Sequence, residues 1–174
     1  MSFIDRLRSA ARPAPAADDL YRAVVALARD ADWYRAGEVP DSIDGRFDMV
    51  ALVLAHVLLR LEGETGAGQL SADLTERFIA DMDGSLRQLG VGDQVVGKRV
   101  GEMVGMLGGR LGAYRDAAGE PVALAAALTR NLWRGTPPGP DAAGWVVARV
   151  QRLAAMLAGL PLDAVASGRL GSLS

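Results

Sequence analysis

The sequence predicts an all-α protein, a single-domain helical bundle of about six or seven helices. Three observations predict it. Apolar residues recur at steps of three and four in one segment after another. No stretch shows the apolar–polar alternation of a half-buried strand. Gly- and Pro-bearing breaks separate the segments, the strongest being Thr136-Pro-Pro-Gly-Pro140. A length of 174 residues suits one domain and buries enough surface to need no disulfide or metal staple.

The elements follow in order. Phe3, Ile4 and Leu7 share one face of a short N-terminal turn, which Pro13 and Pro15 break. Two readings stand for that turn: a lightly docked end, or an interfacial foot on a membrane. From Asp18 or Asp19 to Ala36, the spacing of Leu20, Val24, Leu27 and Ala31 predicts one long helix, with Gly37 placed to end it. A loop with Pro40 leads to Asp44, a suitable N-cap. Phe47 to Leu61 is the most apolar helix, and Asp48, His56 and Arg60, which interrupt it, share one side. A helix apolar nearly all round belongs in the centre of a bundle. Beyond the Gly-rich loop, Ser71 caps a helix that runs to Leu89 and ends at Gly90. The next helices run from Asp93 to Ala117 and from Pro121 to Arg134, the proline standing in a first turn. An amphipathic helix covers Asp141 to Ala158, and Pro161 begins a last short turn. The chain is thereby organised as an N-terminal arm (1–17), a helical domain (18–135) and a Pro-rich linker plus C-terminal helical extension (136–174).

Composition narrows the chemistry. Half of the residues are apolar, 23% are charged, none is cysteine and one is histidine, His56. Iron–sulfur clusters, Cys-based zinc sites, cysteine nucleophiles and two-His zinc helices are thereby excluded. Nineteen basic and 21 acidic residues give a net charge of −2, without the basic stripe of a DNA-binding domain. Lys98 is the single lysine, which together with the heavy use of Ala and Gly points to a GC-rich bacterial genome. No segment reads as a secretory signal or as a bilayer span of about 20 apolar residues, so the expected location is cytoplasmic.

Motif look-alikes each lack a partner. Gly92 to Lys98 fits GxxxxGK, but Arg99 stands where a phosphate loop needs Ser or Thr, and a helix precedes it. Asp81-Met-Asp83 resembles the start of a calcium loop, but Leu86 and Gly92 occupy the positions of its Gly and Glu. His56 has no second histidine or evident nucleophile and reads as a core or groove residue. Gly97, Gly101, Gly105 and Gly109 recur every four residues, each lowering helix propensity by about 0.8–1 kcal/mol relative to Ala. Such a face either packs tightly on a neighbouring helix of the same domain or receives a helix from a client.

Longer strings carry a resemblance. They are Val39-Pro-Asp-Ser-Ile-Asp-Gly-Arg-Phe-Asp-Met49, Phe78-Ile-Ala-Asp-Met-Asp83, Leu86-Arg-Gln-Leu-Gly-Val-Gly-Asp93 and Val96-Gly-Lys-Arg-Val100. Gly109-Arg110 with Ala113-Tyr114, and Leu128-Thr-Arg-Asn131, follow in order. Over Leu20 to Arg134 the chain resembles the ubiquinol–cytochrome c chaperone family in its alphaproteobacterial form, the segment after Thr136 lying outside the likeness. It departs from the usual pattern at Gly101 and Gly105. The resemblance implies an all-α, non-enzymatic assembly chaperone that binds newly made cytochrome b, or its transmembrane helices, during biogenesis of the bc1 complex. No cofactor or metal is implied. Mitochondrial relatives act at the ribosome, so contact near the exit tunnel, and peripheral contact at the inner membrane, are implied partners.

A chaperone of this kind needs an apolar surface with a polar rim. The expected client-binding residues are Phe47, Leu54, His56, Leu58, Gly101, Gly105 and Tyr114. The expected rim is Arg46, Asp48, Lys98 and Arg99. Plain core packing or helix capping is the competing account of each. Two other classes stay open: an enzyme working through Asp81, Asp83 or His56, and an adaptor for a soluble or ribosomal partner.

Overall fold

In a computed structural model, residues 15–88 and 93–173 are described, with side chains described over 16–85 and 101–173. Among them lie eight helices: α1 Pro15–Ala28, α2 Ala31–Arg35, α3 Ile43–Glu62, α4 Gly68–Gln88, α5 Asp93–Asp116, α6 Pro121–Asn131, α7 Pro140–Gly159 and α8 Leu162–Ala166. Two of these, α2 and α8, are five residues long. The described residues contain no strand, so the chain is an all-α bundle. The N-terminal turn with Phe3, Ile4 and Leu7, and the helix stop at Gly90, lie outside the described residues.

The expected single helix from Asp18 to Ala36 is two helices. Asp30 breaks it: its carboxylate accepts from the Asp32 backbone N–H at 2.9 Å and starts α2 anew. The new direction turns Trp33 fully inward, where its indole N–H donates to the Leu27 carbonyl at 2.9 Å. Arg149 from α7 seals the break. Its guanidinium pairs with Asp30 at 2.6 Å and stands 4.8 Å from the Trp33 ring centre and 4.9 Å from that of Trp145. The expected end holds: α2 runs to Arg35, Ala36 is its C-cap, and the Gly37 N–H closes the end on the Asp32 carbonyl at 3.2 Å. A Cβ on Gly37 would lie 2.6 Å from both the Trp33 carbonyl oxygen and Val146 Cγ2.

Helix α3 starts earlier than the apolar run suggests. Ser42, not Asp44, is its N-cap, accepting from the Gly45 N–H at 3.1 Å. A Cβ on Gly45 would fall 1.9 Å from the Pro40 carbonyl oxygen, so the glycine lets the preceding loop fold back over the first turn. Ser71, the expected cap of α4, sits inside that helix, which begins at Gly68. Helix α6 ends at Asn131 with Leu132 as C-cap, short of Arg134, and it cannot run on through Arg134 and Gly135, which both have positive φ, 50° and 88°.

As its composition predicts, α3 is the axis. It packs against α1, α4, α5 and α7, and thirteen of its residues are buried. The C-terminal segment shares this core. Val146, Val150, Leu153 and Leu157 of α7 are buried within it. Arg60 of α3 donates to the Leu157 and Leu160 carbonyls, both at 2.9 Å, and so ties α3 to the end of α7. Beyond α8, Leu170 and Leu173 are buried as well. No described helix is long and apolar enough to cross a membrane.

Candidate functional site

A cleft of about 1010 Å³ opens where α1, α3, α4, α5 and α6 converge. Its apolar floor comes from Phe47 and Val50 of α3, Met82 of α4, and Met103 and Met106 of α5. Ile43 and Met106 stand out at 65% and 45% exposure, high for large apolar side chains. Arginines dominate its polar lining: Arg29, Arg46, Arg110, Arg130 and Arg134.

A buried ion cluster holds the wall of the cleft. Asp48 is 1% exposed and Arg110 6%. One carboxylate oxygen of Asp48 accepts from Arg110 Nη2, and the other from Arg134 Nε at 2.7 Å. Arg110 also donates to the Asn131 carbonyl at 3.2 Å, and its guanidinium lies 5.4 Å from the Phe47 ring centre. Arg134 reaches on to Asp44 at 2.8 Å. The left-handed backbone at Arg134 aims the side chain back at α3; such a conformation costs a β-carbon-bearing residue about 1–3 kcal/mol. The cluster joins α3, α5 and the end of α6 beneath the apolar floor. Burial pushes the Asp48 carboxyl above its ordinary pKa, and the hydrogen bond from Arg134 and the nearby positive charges only partly draw it back.

A second, smaller cavity of about 350 Å³ is lined by His56, Tyr114, Arg60, Leu124, Val150 and Leu157, among others. His56 Nδ1–H donates to the Leu52 carbonyl one turn back at 2.9 Å, and its ring stacks at 5.1 Å on Tyr114. Burial pushes the His56 pKa down, and the backbone hydrogen bond opposes this in part. Burial pushes the Tyr114 phenol up, and its hydroxyl has no hydrogen-bond partner among the described residues.

The expected client-binding residues therefore separate. Phe47 lines the large cleft. Leu54 and Leu58 are buried in the core, and His56 and Tyr114, also buried, line the smaller cavity. The reason is that neighbours cover α3 on several sides, so an apolar residue there is core by default. Gly101 and Gly105 are exposed, on a face of α5 turned away from Met103 and Met106. A Cβ at Gly101, Gly105, Gly108, Gly109 or Gly112 would meet nothing within 4 Å, so close packing inside the domain does not account for them. Of the expected rim, Arg46 is exposed and paired with Asp41 at 2.6 Å. Asp48 is no rim group but the buried anchor of the arginines. The side chains of Lys98 and Arg99 lie outside the described residues. Asp81 accepts from the Tyr21 hydroxyl at 2.8 Å and lines the large cleft, while His56 lines the small one. The structure does not bring these two together.

Sequence reasoning missed Arg110, Arg134 and the three methionines. Arg110 belongs to one of the family strings, but nothing in its spacing pairs it with Asp48, 62 residues away. The methionines could have been found as an i, i+3 pair, Met103 and Met106, on one face of α5.

Comparison with known proteins settles the family. The family model of the ubiquinol-cytochrome C chaperone matches residues 35–172. The chain belongs to that family. The match begins after α1 and runs through α7 and α8, past Arg134, where the sequence likeness was expected to stop. The crystal structure of the Cbp3 homolog from Brucella abortus is similar in fold and sequence. It has a TM-score of 0.78 and 37% identity, over 88% of this chain and 86% of that one. No curated protein matches. In this family member the arginine-rimmed cleft, larger than the cavity beside His56, is the candidate site for function.

Proposed function

We propose that this chain binds newly made cytochrome b, or its transmembrane helices, during biogenesis of the bc1 complex, and that it does so without catalysing a reaction. The observation that carries this reading is a methionine-lined cleft in a member of a ubiquinol–cytochrome c chaperone family. A newly made membrane helix is apolar over its length and needs a surface that accepts varied side chains. Unbranched, polarisable methionines provide one, and the ion cluster under Phe47 keeps the wall in place. The reading places the chain in the cytoplasm, at the periphery of the inner membrane and within reach of the ribosome.

A photo-reactive residue at Met106, introduced in cells, tests it. The expected outcome is an adduct with cytochrome b, together with lower cytochrome b levels and bc1 activity in a deletion strain. An adduct with a purely soluble or ribosomal partner, or a deletion strain with normal bc1 activity, overturns the reading in favour of an adaptor.

A further inference from the structure

The smaller cavity is a space of its own. It shares no lining residue with the large cleft and lies between α3, α5, α6 and α7. Buried Tyr114, Leu124, Val150 and Leu157 give it an apolar floor around His56. Gly63, Gly119, Ala154 and Ala158 are exposed and form its mouth. None of those four carries more than a methyl group, so none of them plugs the opening. Voids much larger than a water molecule are few in a packed interior. A volume of about 350 Å³ falls at the low end of the range of about 300–1,000 Å³ that small-molecule sites span.

One polar atom gives the floor a direction. The Leu52 carbonyl can only accept, so its 2.9 Å contact fixes the His56 proton on Nδ1. Burial keeps the ring neutral, which leaves a lone pair on Nε2. That nitrogen forms no hydrogen bond with any described residue, although His56 is only 8% exposed. Other polar groups of the lining are engaged or turned away. Arg60 donates to two carbonyls and to Glu64. The Tyr114 hydroxyl is closed off from solvent, so Tyr114 serves as wall. Gln151 is exposed. A water on this floor would find one acceptor, where a buried water ordinarily makes about two to four hydrogen bonds. A ligand that keeps the bond to Nε2 and fills the rest with apolar surface displaces it at a gain.

We propose that this cavity binds a compact, neutral small molecule, apolar over most of its surface and bearing one hydroxyl. The hydroxyl enters first and donates to His56 Nε2. The apolar body lies between Tyr114 and the side chains of α6 and α7. A carboxylate is disfavoured by the lone pair, and an ammonium by the lack of any Asp or Glu on the lining. The site stands apart from the client cleft, and its test does not depend on cytochrome b.

Isothermal titration calorimetry of the full-length chain at neutral pH tests it with two probes, naphthol and its methyl ether, which keeps the rings and has no donor. Naphthol binds one to one, and the ether binds about tenfold more weakly. His56→Phe keeps a ring on the floor and removes the acceptor, so the two probes bind it alike. Ala154→Trp, at an exposed position of the mouth, weakens both by about tenfold or more. Val122→Trp, at a position 85% exposed and off the lining, changes neither. Circular dichroism of each variant is expected to match the parent; should His56→Phe not fold, the probe pair and Ala154→Trp still decide. Absence of saturable binding overturns the proposal, as does equal affinity of the parent for the two probes. So does a preference that survives His56→Phe, or binding that Ala154→Trp leaves unmoved, which would put the probe elsewhere, the large cleft included.

Discussion

At the scale of single residues, the buried charges decide most. Asp48 neutralises Arg110 and both are nearly fully buried, so removing one partner strands the other. Asp48→Ala is expected to lower the unfolding free energy by about 3–5 kcal/mol in urea titrations, and Asp48→Leu combined with Arg110→Met to recover most of it. A single substitution costing below about 1 kcal/mol would mean that the pair is not an anchor. His56 gives a pH dependence. Its folded pKa lies below the ordinary 6.5, so the unfolded chain binds a proton that the folded chain refuses. Stability from this group is present above pH 6.5 and is lost as pH falls below it, by up to about 1.4 kcal/mol per pH unit. Asp48, with its raised pKa, acts in the opposite sense above its ordinary 3.8, so the comparison must be between the parent and His56→Gln. The variant is expected to show a flatter stability profile just below pH 6.5, and parallel profiles would refute the assignment.

At the scale of elements, glycine separates two situations. Gly45 is required by contact, because a Cβ would strike the Pro40 carbonyl. Gly45→Ala is therefore expected to destabilise by about 1–3 kcal/mol. The glycines of α5 stand in open space. Gly105→Ala with Gly108→Ala should raise stability by about 1–2 kcal/mol through helix propensity alone. Thermal melts of the two variants should move in opposite directions. A fall in the α5 variant would reveal a partner surface against that face, such as a second copy. Helix boundaries follow the same logic. Residues legible as caps by type, Asp44 and Ser71, lost to neighbours whose side chains met the right N–H, or to an earlier start of the helix.

At the scale of the whole molecule, α7 and α8 belong to the core that α3 organises. Ending the chain at residue 135 would expose the faces of α3 and α6 that pack on α7, uncover Trp33, and leave Arg60 without the Leu157 and Leu160 carbonyls. Such a truncation is expected to lose cooperative unfolding by calorimetry. A sharp transition that remains would show 136–173 to be an appendage.

The all-α class, the central position of α3 and the chaperone family were legible in the sequence, because helical periodicity, continuous apolarity and long strings are local properties. The cleft was not. Whether an apolar residue on α3 is core or surface depends on which neighbour covers it: Phe47 lines the opening, while Leu54 and Leu58 lie under other helices. The same holds for charge. Asp48 looked like a rim group until Arg110 and Arg134 arrived from 62 and 86 residues along the chain. Pairing at that separation is decided by how helices pack, and so only the tertiary structure reveals which carboxylate meets which arginine.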